Sequence, residues 1–543
     1  MIQERQSFLQ KWSSPIGLCL TLFLVAYNVS VVPAIMPRIV RDLDSSVGSI
    51  QGALVLLALV KASFAPTCEN LIKQFGRKKV LIAGLGLFTL GVLATSFSQT
   101  IGLFVVAYSF ITGLGATPLV GSPRDLVGRI YQEKTEKYAL LALIVFSIIG
   151  GLTGALLGGW IASRYGWRWS FFPEFILIPV IALLLRSVPR IPPTQSVPLD
   201  WIGGLLSFLG FGLTLVGVSL AGEYGWWKPK QPFTIFGIVI PPFALSIVPV
   251  LIAVGMICLG IFAAWQRQQA QQGKASLLRA GLLRHKPFLL GLFTATLHTM
   301  ITTGMQFNLY QFLPVILQLN PFQTALAVLP LSLATLVVVV FTTFKVVGRV
   351  PSQLPIYTGL TLFCLGVWLL HNAIGFNMTT LKLLPALVIM GAGSGLFLAQ
   401  IGTITFSTVN RDHIAEASGI YTPFQNLGNA LGRGILGSVL IGTASIRIVD
   451  QAIAQLGTTV TLTQRNEAIA KLEQVIQTYS RDERQEFFSN LPHAIQPSLN
   501  TILNTSAIEA MQTALLFILA LSVCCLLLSF FLPKHPSLQA KKS

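Results

Sequence analysis

The chain has 543 residues, of which 53% are hydrophobic and only 10% charged, with a formal charge of +18. A soluble domain carries about 25% charged residues, so this composition excludes a string of water-soluble domains. The basic excess sits in short loops between apolar runs, which points to membrane topology and away from nucleic acid.

The apolar runs are about 18–25 residues long, the length that spans a bilayer core as a helix. In chain order they predict spans at 15–37, 48–71, 80–99, 101–121, 138–162, 170–187, 201–221, 240–264, 287–309, 322–344, 354–374, 383–407, 417–441 and 509–532. The first run has no small-residue cleavage site and reads as a retained span. Pro33, Pro66, Pro118 and Pro179 lie inside spans, which membrane helices tolerate because neighbours re-satisfy the backbone. An even count puts both termini on one side. That side holds most of the lysines and arginines of the short loops, including Lys73, Arg77, Lys78, Lys79, Arg267, Arg284 and Lys286. By the positive-inside rule both termini are cytoplasmic. The long polar segment 445–508, with mixed charges such as Arg465, Glu467, Lys471 and Glu473, then falls outside as a solvated loop with one or two amphipathic helices.

Metal and nucleotide chemistry find no footing. The six cysteines lie in apolar runs without CxxC spacing and read as small hydrophobic fillers, so neither disulfide nor metal is expected. Gln272–Ser276 (QGKAS) lacks the glycine-rich phosphate loop of an ATP-driven pump. No HExxH occurs and the acids are scattered, which argues against a membrane enzyme. The sequence calls for no cofactor.

Several segments, in order along nearly the whole chain, resemble the major facilitator superfamily, and within it the fourteen-span drug:proton antiporter branch. Gly150, Gly154, Gly158 and Gly159 followed by WIASRYGWRWSFF (160–172) look like the antiporter motif of the fifth span. LDWIGGLLSFLGFGLTL (199–215) and GEYGWW (222–227) resemble the seventh span and its following loop. QFLPVILQLNPFQTALAVLPLSL (311–333) resembles the ninth-to-tenth connection, and 391–432 the twelfth-to-thirteenth segment. FGRKKV (75–80) looks like the end of the loop motif between spans two and three. The resemblance implies an all-α membrane fold of two six-helix bundles, 1–190 and 286–543, with two extra helices in 191–285. It also implies alternating access around a midplane site. Gly150, Gly154 and Gly158 recur every four residues, share a helix face and suit close helix packing; with Gly159 they form the expected packing hinge.

The departures from the family pattern direct attention to particular residues. The family's first-span acid falls on Asn28, a cavity candidate together with Lys61 and Arg433, the loop motif's Asp on Lys73 and its leading Gly on Glu69. The fourth-span Arg and Gln fall on Ser109 and Thr112, and the antiporter-motif Pro on Ala155. The usual coupling acid and cation are therefore replaced. Ionisable residues inside a membrane are costly and mark functional candidates. Lys61 lies about 13 residues from the outer end of its span, roughly 20 Å deep at 1.5 Å per residue, too deep to snorkel, and must face the interior. Arg433 interrupts a small-residue run and keeps its charge under essentially all conditions. Glu174 is the candidate proton-carrying acid. Glu69 stands one turn before Lys73 and is a gating candidate with Arg77 and with Arg124 across spans two and four. His298, Thr302, Gln306 and Tyr310 advance by fours and suit a cavity wall. For His298 and His371 the expectation is a hydrogen-bonded structural role.

These readings predict a secondary transporter, an exporter of small amphipathic or anionic molecules, proton-coupled if Glu174 replaces the missing acid. A facilitator without coupling and a transporter-derived receptor or scaffold are the alternatives. The expected partners are a small-molecule substrate and the lipid bilayer, with no nucleic acid, and the chain is expected to act as a monomer in a bacterial cytoplasmic membrane. Relatives of this branch in double-membraned bacteria can work with a periplasmic adaptor, a role that 445–508 could serve.

Overall fold

Lipid offers no partner to a free amide, so each apolar run must satisfy its backbone within itself, and it does so as a helix. The computed structural model describes residues 8–533 apart from 46, 132, 190–199, 226, 228, 230–233, 236–237, 242–244, 273–284, 347–348, 408, 410–413, 458–459, 479–486 and 488–495. The first seven helices are α1 (Phe8–Asp42), α2 (Val47–Phe75), α3 (Arg77–Ser96), α4 (Ile101–Val105), α5 (Thr112–Ile130), α6 (Glu133–Tyr165) and α7 (Phe172–Leu185). Two more, α8 (Trp201–Tyr224) and α9 (Ile247–Gln271), follow. The rest are α10 (Lys286–Ile316), α11 (Pro321–Phe341), α12 (Gln353–Ala373), α13 (Thr380–Ser407), α14 (Ile414–Leu431), α15 (Gly437–Leu456), α16 (Leu462–Thr478) and α17 (Leu499–Ser529). Three π-helical turns interrupt the ladder. Val106–Ile111 joins α4 to α5, Thr342–Val346 extends α11, and Gly432–Leu436 joins α14 to α15.

Among the described residues, twelve helical stretches are long and apolar enough to cross a bilayer. The helix α2 makes a thirteenth although it bends by 48° between Ala65 and Thr67; residue 66 is a proline, which has no N–H to donate. The helix α8 adds a shorter apolar stretch, Trp201–Thr214. The fold is the expected all-α membrane bundle of about fourteen helices.

Three boundaries differ most from the sequence reading. The span expected from 240 begins at Ile247, because the preceding stretch forms a two-strand turn, β1 (Thr234–Ile235) against β2 (Ile238–Val239), followed by Pro241. The span expected from 509 begins ten residues earlier, at Leu499. Its polar opening, LNTILNTSAIEA, continues the helix past the apolar core, so hydropathy alone misplaced it. The long polar loop expected over 445–508 is shortened at both ends, since α15 runs on to Leu456. It does contain an amphipathic helix, α16.

The core divides in two. One cluster gathers α1–α7 around fully buried Phe88, Phe104, Tyr108, Trp167 and Phe171, with the Phe104 ring 5.5 Å from Tyr108 and 5.9 Å from Trp167. The other gathers α10–α15 and α17 around Phe363, Met390, Phe397 and Met511. Helices α8 and α9 pack on each other, and α8 on α2. Glycines set the first half's closest contact. A methyl group on Gly150 would run into the carbonyl oxygen of Phe23, and one on Gly154 into that of Tyr27. Helix α1 therefore lies directly on α6. Gly158 continues this face against Val31, whereas Gly159 turns away to the second half.

Candidate functional site

The side where α1 begins is the near side and the opposite one the far side; α6 and α10 run from near to far, α2, α5, α11 and α13 from far to near. A cavity of about 410 Å³ lies between the halves. The first half lines it with Val29 and Ser30 of α1 and Ser147 and Gly151 of α6, the second with α10, α11, α13 and Arg433. His298, Thr302, Gln306 and Tyr310 all reach it, as the four-residue spacing requires of one helix face. Thr303 on the same helix donates to Asn429 Oδ1 at 2.7 Å, and Thr299 pairs with Gln425, so α14 is tied to this wall. His298 differs from expectation. It is buried with hydrogen bonds at neither ring nitrogen, and its ring lies 4.1 Å from that of Phe397 and 5.5 Å from Phe363. His371 does follow expectation, its Nδ1 lying 3.2 Å from the Gln512 carbonyl oxygen.

The halves touch on both sides of the cavity. On the far side a methyl at Gly159 would come within 3.1 Å of the Pro321 carbonyl at the start of α11. Ala34, Ala155 and Ala325 pack there with Tyr310. Ala155 stands where a proline was expected, and its small side chain allows this closure. On the near side the Arg124 guanidinium of α5 lies 6.0 Å from the Phe406 ring and 5.8 Å from the Tyr421 ring of the second half. Tyr138 of α6 stacks on Phe344 at 5.5 Å.

Asn28 does not face the cavity as expected. It is buried within the first half, where its Nδ2 donates to both oxygens of Glu174 at 3.1 Å. Glu174 is fully buried. The Tyr108 hydroxyl donates to the Asn28 carbonyl at 3.4 Å, and the Tyr27 hydroxyl to the Ser170 carbonyl at 2.8 Å. Ser109, in the place of the family's cation, donates to the Ala53 carbonyl at 2.8 Å. Thr112 donates to the Ala107 carbonyl at 3.0 Å.

The pairing of Glu69 with Arg124 or Lys73 is also corrected. Arg77, only 8% exposed at its side chain, holds Glu69 at 3.2 Å and Asp125 at 2.8 Å, while Arg124 turns to the rings. Arg77 opens α3 directly below the end of α2, so Glu69 and Asp125 reach it without stretching. Asp125 was missed by sequence reasoning because it sits in a polar run, SPRDLVGR, that resembles a solvated loop. Its place just inside a span end was the available signal.

The sequence model of the Major Facilitator Superfamily matches residues 18–432. The chain belongs to the Major Facilitator Superfamily. Curated relatives include a multidrug resistance protein, Stp, of Mycobacterium tuberculosis, 25% identical over 78% of this chain and 74% of that one. A probable actinorhodin transporter of Streptomyces coelicolor is 25% identical over 79% and 73%. Among solved structures, the POT family transporter PepTSo superposes with a TM-score of 0.55 at 13% identity, covering 87% of this chain and 97% of that one. The chain is thus a multi-pass membrane transporter, of a family whose members are carriers and not enzymes.

Arg433 and Lys61 lie where the two halves meet. Arg433 lines the cavity and its Nη1 donates to the Leu54 carbonyl of α2 at 3.0 Å. Lys61 of α2 is buried, 6% exposed, and lies within electrostatic reach of Arg433. Tyr108 is in reach of both Arg433 and Glu174.

Proposed function

We propose that this transporter is a secondary active exporter of small amphipathic molecules, working by alternating access and coupled to protons through Glu174. The observation that carries this reading is the cavity between the halves, lined by both and flanked on either side by contacts between them. Such an arrangement suits a carrier that opens one side at a time. The wall is mostly apolar, with a polar stripe on α10, which suits amphipathic molecules. The names of the relatives, a multidrug resistance protein and a probable antibiotic transporter, support export. The near side is then cytoplasmic, with both termini there and α16 outside the cell membrane.

Proton coupling rests on Glu174. The family's acid position holds Asn28, and the carboxyl that Asn28 contacts comes instead from α7. A buried carboxyl held by one amide donor can take up a proton without breaking other partners. The facilitator reading is the second one, supported by the loss of charge at Asn28 and Ser109. Reconstituted vesicles loaded with a cationic dye or an amphipathic anion distinguish them. Under the proposal a pH gradient accelerates wild-type flux, while Glu174→Gln retains downhill flux but loses the acceleration. Gradient-driven flux in Glu174→Gln equal to wild type would return the chain to the facilitator reading.

A further inference from the structure

Lys61 and the carbonyl that anchors Arg433 lie on one face of α2. Lys61 stands seven residues, two helical turns and about 10 Å, beyond Leu54, whose carbonyl anchors Arg433. Long side chains on a helix lean towards its N-terminus, so the Lys61 ammonium is carried back towards Arg433. The contact of α2 with α14 is apolar: Ala58, Leu59 and Ala62 of α2 cluster with Leu427 and Ala430 of α14 and with Phe211 of α8. Among the described residues, no hydrogen bond or ion pair is made to Lys61. The nearby carboxylates have other partners, since Glu69 and Asp125 are held by Arg77 and Glu174 by Asn28. Two buried cations thus lie on the same side of α2, Arg433 on the cavity wall and Lys61 within its electrostatic reach, in a low dielectric where an added anion interacts strongly with both. The π-helical turn Gly432–Leu436 aims Arg433 into this position; such turns are frequent at functional sites.

We propose that Lys61 and Arg433 form a recognition site for the anionic group of the transported molecule, a carboxylate or sulfonate, so that the substrates are amphipathic anions. The apolar part of such a molecule lies in the cavity, and its charge docks at the α2–α14 seam. Because α2 belongs to the first half and α14 to the second, a bound anion joins the halves. The proposal deepens the exporter reading and rests on it for the word substrate.

The test uses the full-length chain and two probes, dansylglycine and its uncharged methyl ester. In detergent, dansylglycine raises the melting temperature of the wild type and of Lys61→Arg, and the ester does not. Lys61→Gln and Arg433→Gln each need about tenfold or more dansylglycine for the same shift, as expected on losing a charge-assisted contact. Equal shifts by acid and ester in the wild type, or no shift by either, would overturn the site, and neither result depends on a variant folding. Wild-type dose–response in both glutamine variants would overturn it as well. A shift from added phosphatidylglycerol with none from dansylglycine would assign the cations to a lipid headgroup and overturn the substrate assignment. In phosphatidylcholine vesicles, corrected for protein-free leak, equal carriage of acid and ester overturns the anion site but leaves the exporter standing. Acid-selective binding without flux of either probe does the reverse.

Discussion

Arg77 is held between two carboxylates at the near-side ends of α2 and α5, and all three side chains are mostly shielded from water. Removing one member of a buried ion cluster strands the others' charge. Arg77→Ala should therefore cost about 3–5 kcal/mol of stability, seen as a lower melting temperature in detergent. Asp125→Asn should cost less, because Glu69 continues to neutralise the arginine. Arg124 behaves differently. It is exposed, and its contacts with Phe406 and Tyr421 are cation–π contacts worth about 0.5–1 kcal/mol at such a site. Arg124→Gln should leave the melting temperature nearly unchanged while making near-side cysteine probes in the cavity wall, such as Thr302→Cys, react faster. An unchanged labelling rate would remove Arg124 from the near-side closure. Residue identities of this kind were only half legible in the sequence. Lys61, Glu174 and Arg433 announced themselves as charges in apolar runs. Their partners did not, because Asn28 and Glu174 are 146 residues apart and only the packing of α1 on α7 joins them.

The contact of α1 with α6 is made by backbone on backbone. Tyr27 Cα would lie 2.9 Å from a methyl group on Gly154, closer than two carbons can pack. Gly154→Ala should push the helices apart and cost about 1–3 kcal/mol, the usual penalty of overpacking. Gly86→Ala on α3, where nothing lies within 4 Å, is the matched control and should be neutral. A neutral Gly154→Ala would mean that the two helices slide freely. Helix positions followed from hydropathy because lipid permits little else, and the glycine spacing foretold the tight face. It did not foretell that Gly159, next to Gly158, serves the other half. Helix ends were harder to place where polar helix continues beyond the bilayer, as at Leu499, or where prolines delay the start, as before Ile247. The three π-helical turns were invisible, since one surplus residue per helix leaves the apolar pattern almost intact.

Alternating access requires the halves to part at each side in turn. In a background freed of native cysteines, Gly159→Cys with Phe322→Cys should form a disulfide across the far side and stop transport until a reductant is added. Continued transport by the fully cross-linked protein would show that this seam never opens. The two-bundle frame was legible from the ordered motifs. The state of the cavity was not, because closure depends on contacts between residues far apart in the chain.

The two sides are not equal in what holds them shut. Helix α16 is attached to the second half by Arg465, whose guanidinium grips Asp450 at 2.6 and 2.8 Å, yet it packs against α2 of the first. Far-side opening must peel this helix away as well as part α6 from α11, while near-side opening must part α2 from α14 and release the ring contacts and Arg124. Far-side opening in a carrier built this way carries an extra step, the release of α16, so that unloading sets the pace.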